Sequence, residues 1–332
     1  MVNRQFVLAR RPTGMPVDAD FHLLESPVPT PAPGEVLLRA HYLSVDPYMR
    51  GRMNAAKSYA PPVEIGGLMV GAGVAEVIES KNPDFPIGDI VANPLMGWQE
   101  YAISSGLGLR KVDPAVAPIS TALGVLGMTG LTAHIGIHDV CAVEPGQTVV
   151  VSGAAGAVGS IAGQVAKIAG CRVVGIAGGR RKCDYVVEEL GFDACVDYKA
   201  GKLHEDLRAA CPKGIDVDFE NVGGEILDTV LRSMNPFSRI VVCGLIAEYD
   251  AKEPYGYKML RSVLVNRIRM QGMIVFDWKD RYGEALADLG ARVAAGKLRY
   301  KESVVEGLDN APAGFMALLT GGNFGKQLVK LG

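Results

Sequence analysis

The sequence predicts an α/β protein in two parts: a strand-rich first domain, then a doubly wound parallel sheet with helices on both faces. Three observations predict it. Residues 1–123 hold short runs of β-branched and other apolar residues, cut by glycine and proline. Beyond about residue 147, continuously apolar runs of strand length alternate with helix-length runs, as a buried parallel sheet requires. Glycine is abundant, 41 of 332 residues, which argues for tight turns and close backbone approaches over a helical bundle.

The opening MVNRQFVLARRPTG reads as a short strand and a turn rather than a signal peptide. EVLLRAHYLSV at 35–45 has strand length and composition. GGLMVGAGVAEVIES at 66–80 favours strands broken by glycines suited to bends or bulges. FPIGDIVAN at 85–93 turns into another short strand, and Pro29, Pro31, Pro33, Pro61 and Pro62 mark loops. Near Ala122 the pattern changes. ALGVLGMTGLTAHIGIHDV approaches as a small-residue-rich helix, QTVVVSG follows as a strand, SIAGQVAKIAG as a helix and CRVVGIAGG as a second strand. The alternation continues through DYVVEELG (helix), FDACVDY (strand), LHEDLRAAC (helix), IDVDFENV (strand), GGEILDTVLRSM (helix) and SRIVVCG (strand). RYGEALADLGARVAAG predicts a later helix and GKQLVKL a closing strand, whose partner periodicity does not reveal.

Composition narrows the function classes. With 48% hydrophobic residues, 21% charged residues and a net charge of -2, the composition gives no support for a nucleic-acid or anionic-membrane surface, while leaving room for a local basic pocket. No charge-poor run reaches membrane length. Six cysteines stand apart with no CxxC pair, so reduced, buried thiols and a cytoplasmic protein are expected.

The most informative stretch is VVVSGAAGAVGSIAGQVAKIAG at 149–170. Gly153, Gly156 and Gly159 fall between a predicted strand and a predicted helix, in a GxxGxxG spacing one residue off the GxGxxG form. Small side chains there let a dinucleotide pyrophosphate approach the backbone, and the first helical turn offers it N–H groups. After the second strand, Gly178 and Gly179 lead into Arg180, Arg181 and Lys182. An acidic residue at that point would suit the ribose 2′-hydroxyl of NAD; these cations suit a 2′-phosphate and favour NADP.

Other constellations carry less. His134 and His138 share a helical face but lack the glutamate of HExxH and a third ligand, so no metal site is expected. The stretch GAAGAVGS is neither GxxxxGK[ST] nor GxSxG. Asp216, Asp218 and Glu220 alternate along IDVDFE, and a solvated strand end is the economical account of them. Tyr48, Tyr59, Tyr249, Tyr255 and Tyr257 lie in glycine- or proline-rich contexts, where phenols orient carbonyls or simply anchor loops.

Across essentially its full length the chain resembles the zinc-independent medium-chain reductases of the leukotriene B4 dehydrogenase/prostaglandin reductase and curcumin reductase group. The resemblance rests on LSVDPYMRGRM at 43–53, LGMTGLTAHIGI at 126–137, SGAAGAVGS at 152–160, FENVGG at 219–224, RIRMQGMIVFDW at 267–278 and GGNFGKQLVKL at 321–331. It implies a GroES-like catalytic domain over 1–123, a Rossmann NADP-binding domain over 124–295, and a segment 296–332 returning to the first domain. The active site would lie in the cleft between them, and the protein would be a homodimer.

The resemblance also implies roles. Gly153, Ala155, Gly156, Ala157, Val158, Gly159, Gly179 and Asn221 would bind the cofactor; Lys182 and Tyr198 would meet its 2′-phosphate. Met128 and Thr129 would flank the nicotinamide, and Asn323 would help close the NADP site. Tyr48, Arg50 and Tyr59 would serve the substrate, with Arg50 placing phosphate, substrate or its own loop. Tyr249, in CGLIAEYD, matches a tyrosine implicated in related reductases and would orient the carbonyl or assist proton transfer. One departure is His134, where relatives often carry tyrosine in LTAY.

The implied reaction is NADPH-dependent reduction of the carbon–carbon double bond of a small α,β-unsaturated aldehyde or ketone, with no metal. An NADPH-dependent quinone oxidoreductase and a non-catalytic NADP-binding regulatory or structural protein stand as alternatives.

Overall fold

The computed structural model describes residues 1–331. Two compact units divide them: Met1–Gly124 with the segment that begins at Glu302, and Val125–Lys301.

In the first unit β1 (Val2–Leu8) and β2 (Phe21–Pro27) form an antiparallel pair. The hub is β3 (Val36–Ser44), whose apolar residues are mostly buried. It pairs antiparallel with β4 (Gly73–Ser80), which continues to β5 (Ile90–Asn93); on its other flank it takes β6 (Tyr101–Ser104). β7 (Arg110–Lys111) closes that end against β5. Two register shifts between β3 and β4 bend the sheet. Just beyond β3, Pro47 starts a single-turn helix, α1 (Tyr48–Arg52).

The second unit opens with α2 (Met128–Ile135), then builds one sheet. Its strands and helices alternate as β8 (Thr148–Ser152), α3 (Gly159–Ile168), β9 (Arg172–Ala177), α4 (Arg180–Asp184) and β10 (Ala194–Asp197). They continue as α5 (Leu203–Ala210), β11 (Ile215–Glu220), α6 (Gly224–Leu231) and β12 (Met234–Val242). After α7 (Arg261–Val265) come β13 (Arg269–Gly272) and α8 (Tyr282–Ala294). All pairings are parallel, in the order β10-β9-β8-β11-β12-β13. The chain winds outward from β8 and then from β11, so their carboxyl ends border the topological switch point where α/β sheets bind ligands. The helix predicted at 184–191 begins four residues earlier, at Arg180. Gly179, with φ 93°, supplies the break that starts it.

The chain then returns to the first unit as β14 (Glu302–Glu306), α9 (Ala311–Leu319) and β15 (Lys326–Lys330). β15 runs parallel to β14 and antiparallel to β3, with Leu328 opposite Ser44, completing a seven-stranded sheet. Phe315 of α9 packs edge-on against Trp98, which stacks on Phe21 at 5.6 Å between ring centroids. On β15, Lys326 Nζ donates to Val45 O and Asp46 Oδ1, both at 2.8 Å, and to Gln327 O at 3.2 Å. The Ser44 hydroxyl donates to the other Asp46 oxygen. Among the described residues no helix is long and apolar enough to cross a membrane.

Candidate active site

The glycine turn stands where β8 ends. Gly153 has φ 60°, a region that favours glycine. A Cβ at Gly159 would strike the Gly153 carbonyl oxygen, and one at Gly156 would come within 3.1 Å of it. The turn therefore folds onto itself only with small residues at these points. Ala155 is buried, whereas Ala157 and Val158 lie half-buried along the approach to α3. No side chain caps the N-terminus of α3, so its first amides are suited to an anionic ligand.

A polar network braces this turn from β11. The Ser152 hydroxyl donates to Glu220 Oε1 at 2.5 Å, and that oxygen also accepts from the amides of Val222 (2.5 Å) and Gly223 (2.9 Å). Asn221 donates its side-chain amide to Ser152 O and its backbone amide to Ser152 Oγ, each at 2.7 Å. Asn221 is thus held against the glycine turn.

The solvated strand end expected for the acidic triplet is overturned here. Asp218 and Glu220 have no exposed surface. Asp216 accepts from the amide of Thr148 instead. Burial, with the neighbouring Glu220, pushes the Asp218 carboxyl well above the usual carboxylate range. Burial raises Glu220 too, opposed by Ser152 and by the amides of Gly223, Val222 and Asn221.

Beyond β9 the structure gathers a cationic cluster. A Cβ on Gly178 would lie 2.8 Å from the Tyr198 ring and 3.1 Å from Lys199 Cε. Asp197 Oδ1 fastens the two loops by accepting from Gly179 N at 2.7 Å and Lys199 N at 3.0 Å. Burial and then the nearby Lys199 charge lower the pKa of Lys182. Lys182 and Tyr198 therefore share a site, and Lys199 joins them. Sequence reasoning passed over Lys199, although its adjacency to Tyr198 was a usable signal. Two ammonium groups beside a phenol and a glycine-lined approach form a donor set that fits a phosphate.

Elsewhere in the second unit, Thr129 is buried and its hydroxyl has no hydrogen-bond partner among the described residues. An orphaned polar atom of this kind fits a site that a bound group completes. Met128 beside it is half-buried. The Tyr249 hydroxyl accepts from Leu245 N at 3.3 Å, using a lone pair and not its proton. Tyr257 donates to Glu248 Oε1 at 2.5 Å and accepts from Gly224 N at 3.2 Å, so it anchors the loop carrying Tyr249. His134 contacts Asp288 at 3.0 Å, and Asp288 also accepts from Arg292 at 2.7 Å.

In the first unit, burial raises the Tyr48 phenol above its ordinary range, with the charges of Asp46 and Tyr59 adding to the effect. Tyr59 is 57% exposed. Arg50 is buried: its guanidinium donates to Gly14 O at 2.8 Å and to Asn54 Oδ1 at 2.7 Å, bracing the loop around residues 12–14. Asn323 is buried and donates to Gly325 O at 2.9 Å. The VDPYMRG segment offers no metal donor set, since the Asp46 carboxylate is taken by Lys326 and Ser44. Among the described residues no group of three or more histidine, cysteine or acidic side chains could hold a metal ion.

Comparison with known proteins matches residues 4–112 to a family described as the N-terminal domain of oxidoreductase, and residues 157–291 to one described as zinc-binding dehydrogenase. The chain is 48% identical to the NADPH-dependent curcumin reductase of Escherichia coli (strain K12), covering 99% of this chain and 97% of that protein. It is 44% identical to prostaglandin reductase 1 of Rattus norvegicus over 98% of both chains. The crystal structure of CurA in complex with NADPH from Vibrio vulnificus superposes with a TM-score of 0.95, at 48% identity and 99% coverage of each chain.

Proposed function

The chain belongs to the zinc-independent medium-chain dehydrogenase/reductases of the curcumin reductase and prostaglandin reductase group, and from that membership we propose the division of labour among its residues. It is an NADPH-dependent oxidoreductase that reduces the carbon–carbon double bond of α,β-unsaturated aldehydes or ketones. The observation that carries this is full-length similarity to an NADPH-dependent reductase, at 48% identity over 99% of the chain.

In this reading the turn from Gly153 to Gly159, including Ala155, Gly156, Ala157 and Val158, receives the pyrophosphate, with Asn221 bracing it. Lys182, Tyr198 and Lys199 hold the 2′-phosphate, and Gly179 keeps the approach to them open. Met128 and Thr129 face the nicotinamide, the Thr129 hydroxyl finding there the partner it lacks among the described residues. Asn323 also serves cofactor binding. Bound NADPH supplies a hydride to the β-carbon of the alkene. The chain's own task is to align that carbon and to stabilise the negative charge that develops on the carbonyl oxygen. Tyr249 orients that oxygen, or assists protonation, through its phenol. Tyr48 and Tyr59 shape the substrate's surroundings, and Arg50 fixes the loop beside α1.

We read the protein as a cytoplasmic homodimer with no nucleic-acid or membrane partner. Its six free thiols suit a reducing compartment. β13 ends the six-stranded sheet with all four residues exposed, and Leu260, Leu264 and Phe276 add apolar surface in the same unit. An open edge with apolar surface nearby suits pairing with a second copy.

The test is an assay with enones, enals and quinones under NADPH and NADH, with product identification. Loss of the C=C bond with the carbonyl retained is expected. Quinone reduction alone, or NADPH binding without turnover, would overturn the assignment. Tyr249→Phe should lower kcat more than it weakens cofactor binding.

A further inference from the structure

Residues 220–224, where β11 passes into α6, hold two other segments at once. On one side lies the glycine turn: Glu220 Oε1 accepts the Ser152 hydroxyl, and Asn221 donates to Ser152 O and Oγ. On the other lies the loop that carries Tyr249, whose amides meet successive carbonyls. Glu220 O accepts from Cys243 N at 2.9 Å, Asn221 O from Ile246 N at 3.2 Å and Val222 O from Ala247 N at 2.9 Å. Gly223, with φ 78°, permits the approach, since a Cβ there would fall 2.9 Å from Leu245 Cδ2 and 3.0 Å from Glu248 Oε1.

Tyr257 extends the connection to the residue before Tyr249. Its hydroxyl accepts from Gly224 N at 3.2 Å and donates to Glu248 Oε1 at 2.5 Å, so one oxygen joins the two loops. The tyrosine is itself held from behind. Asp228 of α6 accepts from Met259 N at 2.7 Å and from Lys258 N at 3.1 Å, which fixes the backbone next to it. Its ring packs against the core cluster that includes Ile226 and Val230. Burial, and then the bond to Glu248, raise the phenol above its ordinary range, so it keeps its proton and remains the donor.

We infer that Tyr257 and Glu248 are positioning residues for the double-bond reduction: their hydrogen bond fixes Tyr249 relative to the glycine turn that receives the cofactor. The inference rests on the reading that Tyr249 orients the substrate carbonyl. The backbone ladder reaches Ala247, and the short turn Ile246–Glu248 carries the chain on to Tyr249. The Glu248 bond limits the rotation of that turn. A phenol that must meet a developing negative charge works only within a narrow range of positions, so losing the bond should lower kcat by roughly tenfold. NADPH binding is served from the Ser152 side and should stay within about twofold of its starting value.

Tyr257→Phe keeps the ring and its packing and removes only the hydroxyl. Its kcat would be measured with NADPH and with the enone that the parent reduces fastest, and its NADPH affinity by fluorescence titration. Glu248→Ala should lose as much kcat as Tyr257→Phe. Glu248→Gln keeps the accepting Oε1 and should recover most of that loss. Tyr255→Phe is the control, its ring centroid lying 5.1 Å from that of Tyr257, and should leave kcat unaltered. An unchanged kcat in Tyr257→Phe, or equal losses of kcat and NADPH affinity, would overturn the positioning role.

Two measurements separate this inference from the reading of Tyr249. In a Tyr249→Phe background, Tyr257→Phe should add no further loss of kcat, because its effect passes through that phenol; a full additional loss would overturn it. Should Tyr249→Phe alone leave kcat unchanged, the carbonyl-orienting reading fails, and the tie between the loops is judged by hydrogen exchange. Amides of 244–249 should then exchange roughly tenfold faster in Tyr257→Phe, while those of 148–160 keep their rates. Unaltered exchange at 244–249 would overturn the tie itself.

Discussion

The two units bury acidic groups in opposite ways. In the first, Asp46 meets the Lys326 ammonium at 2.8 Å, both side chains being no more than 5% exposed. In the second, Asp218 and Glu220 share one strand with no cation bonded to either carboxyl, and both oxygens of Asp218 lack a hydrogen-bond partner among the described residues. A buried ion pair specifies which distant segments must meet, here 280 residues apart. A buried unpaired acid specifies a protonation state instead. The first unit spends its charge on topology, and the second keeps a carboxyl whose pKa burial raises, two residues before the Glu220 that braces the glycine turn.

The largest expected effect comes from breaking the pair. Lys326→Met leaves Asp46 buried without its cation and should cost about 3–5 kcal/mol in urea denaturation. Adding Asp46→Asn should recover part of that loss; a single variant as stable as the parent would end the contrast. The opposite sign is expected at Asp218. Because its folded-state pKa is raised, the folded chain holds a proton that the unfolded chain releases above pH 4, so stability falls as pH rises beyond that point. Asp218→Asn should therefore gain about 1–2 kcal/mol at pH 8, and the gain should vanish near pH 4. A gain independent of pH would show that packing, not ionisation, was responsible.

A smaller effect extends the comparison to the lysines. Lys326 finds its counter-ion within the chain, whereas Lys182 and Lys199 lie close enough for one charge to disfavour the other. Lys199→Ala should reduce the preference for NADPH over NADH by about tenfold in kcat/KM while leaving NADH turnover near its starting value. Equal losses with both cofactors would place Lys199 in loop stability rather than phosphate recognition. The smallest expected change is at Thr129, where replacement by valine should raise the KM for NADPH only a few-fold and leave the urea midpoint unchanged. A lower midpoint would show that the hydroxyl has a folding role.

What the sequence made legible was local. The strand, glycine turn and helix around Gly153–Gly159 are contiguous, and so is the run Gly179–Lys182; their physics is contained within a few residues. The acidic triplet was misread because alternation tells which face a side chain takes and not whether that face is buried. Lys199 was passed over because its neighbourhood with Lys182 is created by β9 and β10 lying side by side. Arg50 kept three readings for the same reason: its carbonyl partners lie on a loop 36 residues upstream. Likewise, nothing in GKQLVKL announces β3 as the neighbour of β15.

That last pairing orders events during synthesis. A ribosome delivers the second unit through Lys301 before β15 exists, so its six strands can assemble while the first sheet still lacks the strand beside the end of β3. Phe315, which completes the aromatic packing on Trp98, also arrives after Lys301. Tyr42, Leu43 and Ser44 at the end of the hub strand must wait for a neighbour on that flank from a segment nearly 300 residues downstream. A nascent chain stalled in that interval would carry a finished nucleotide fold beside an open sheet, the form in which a chaperone has most to hold.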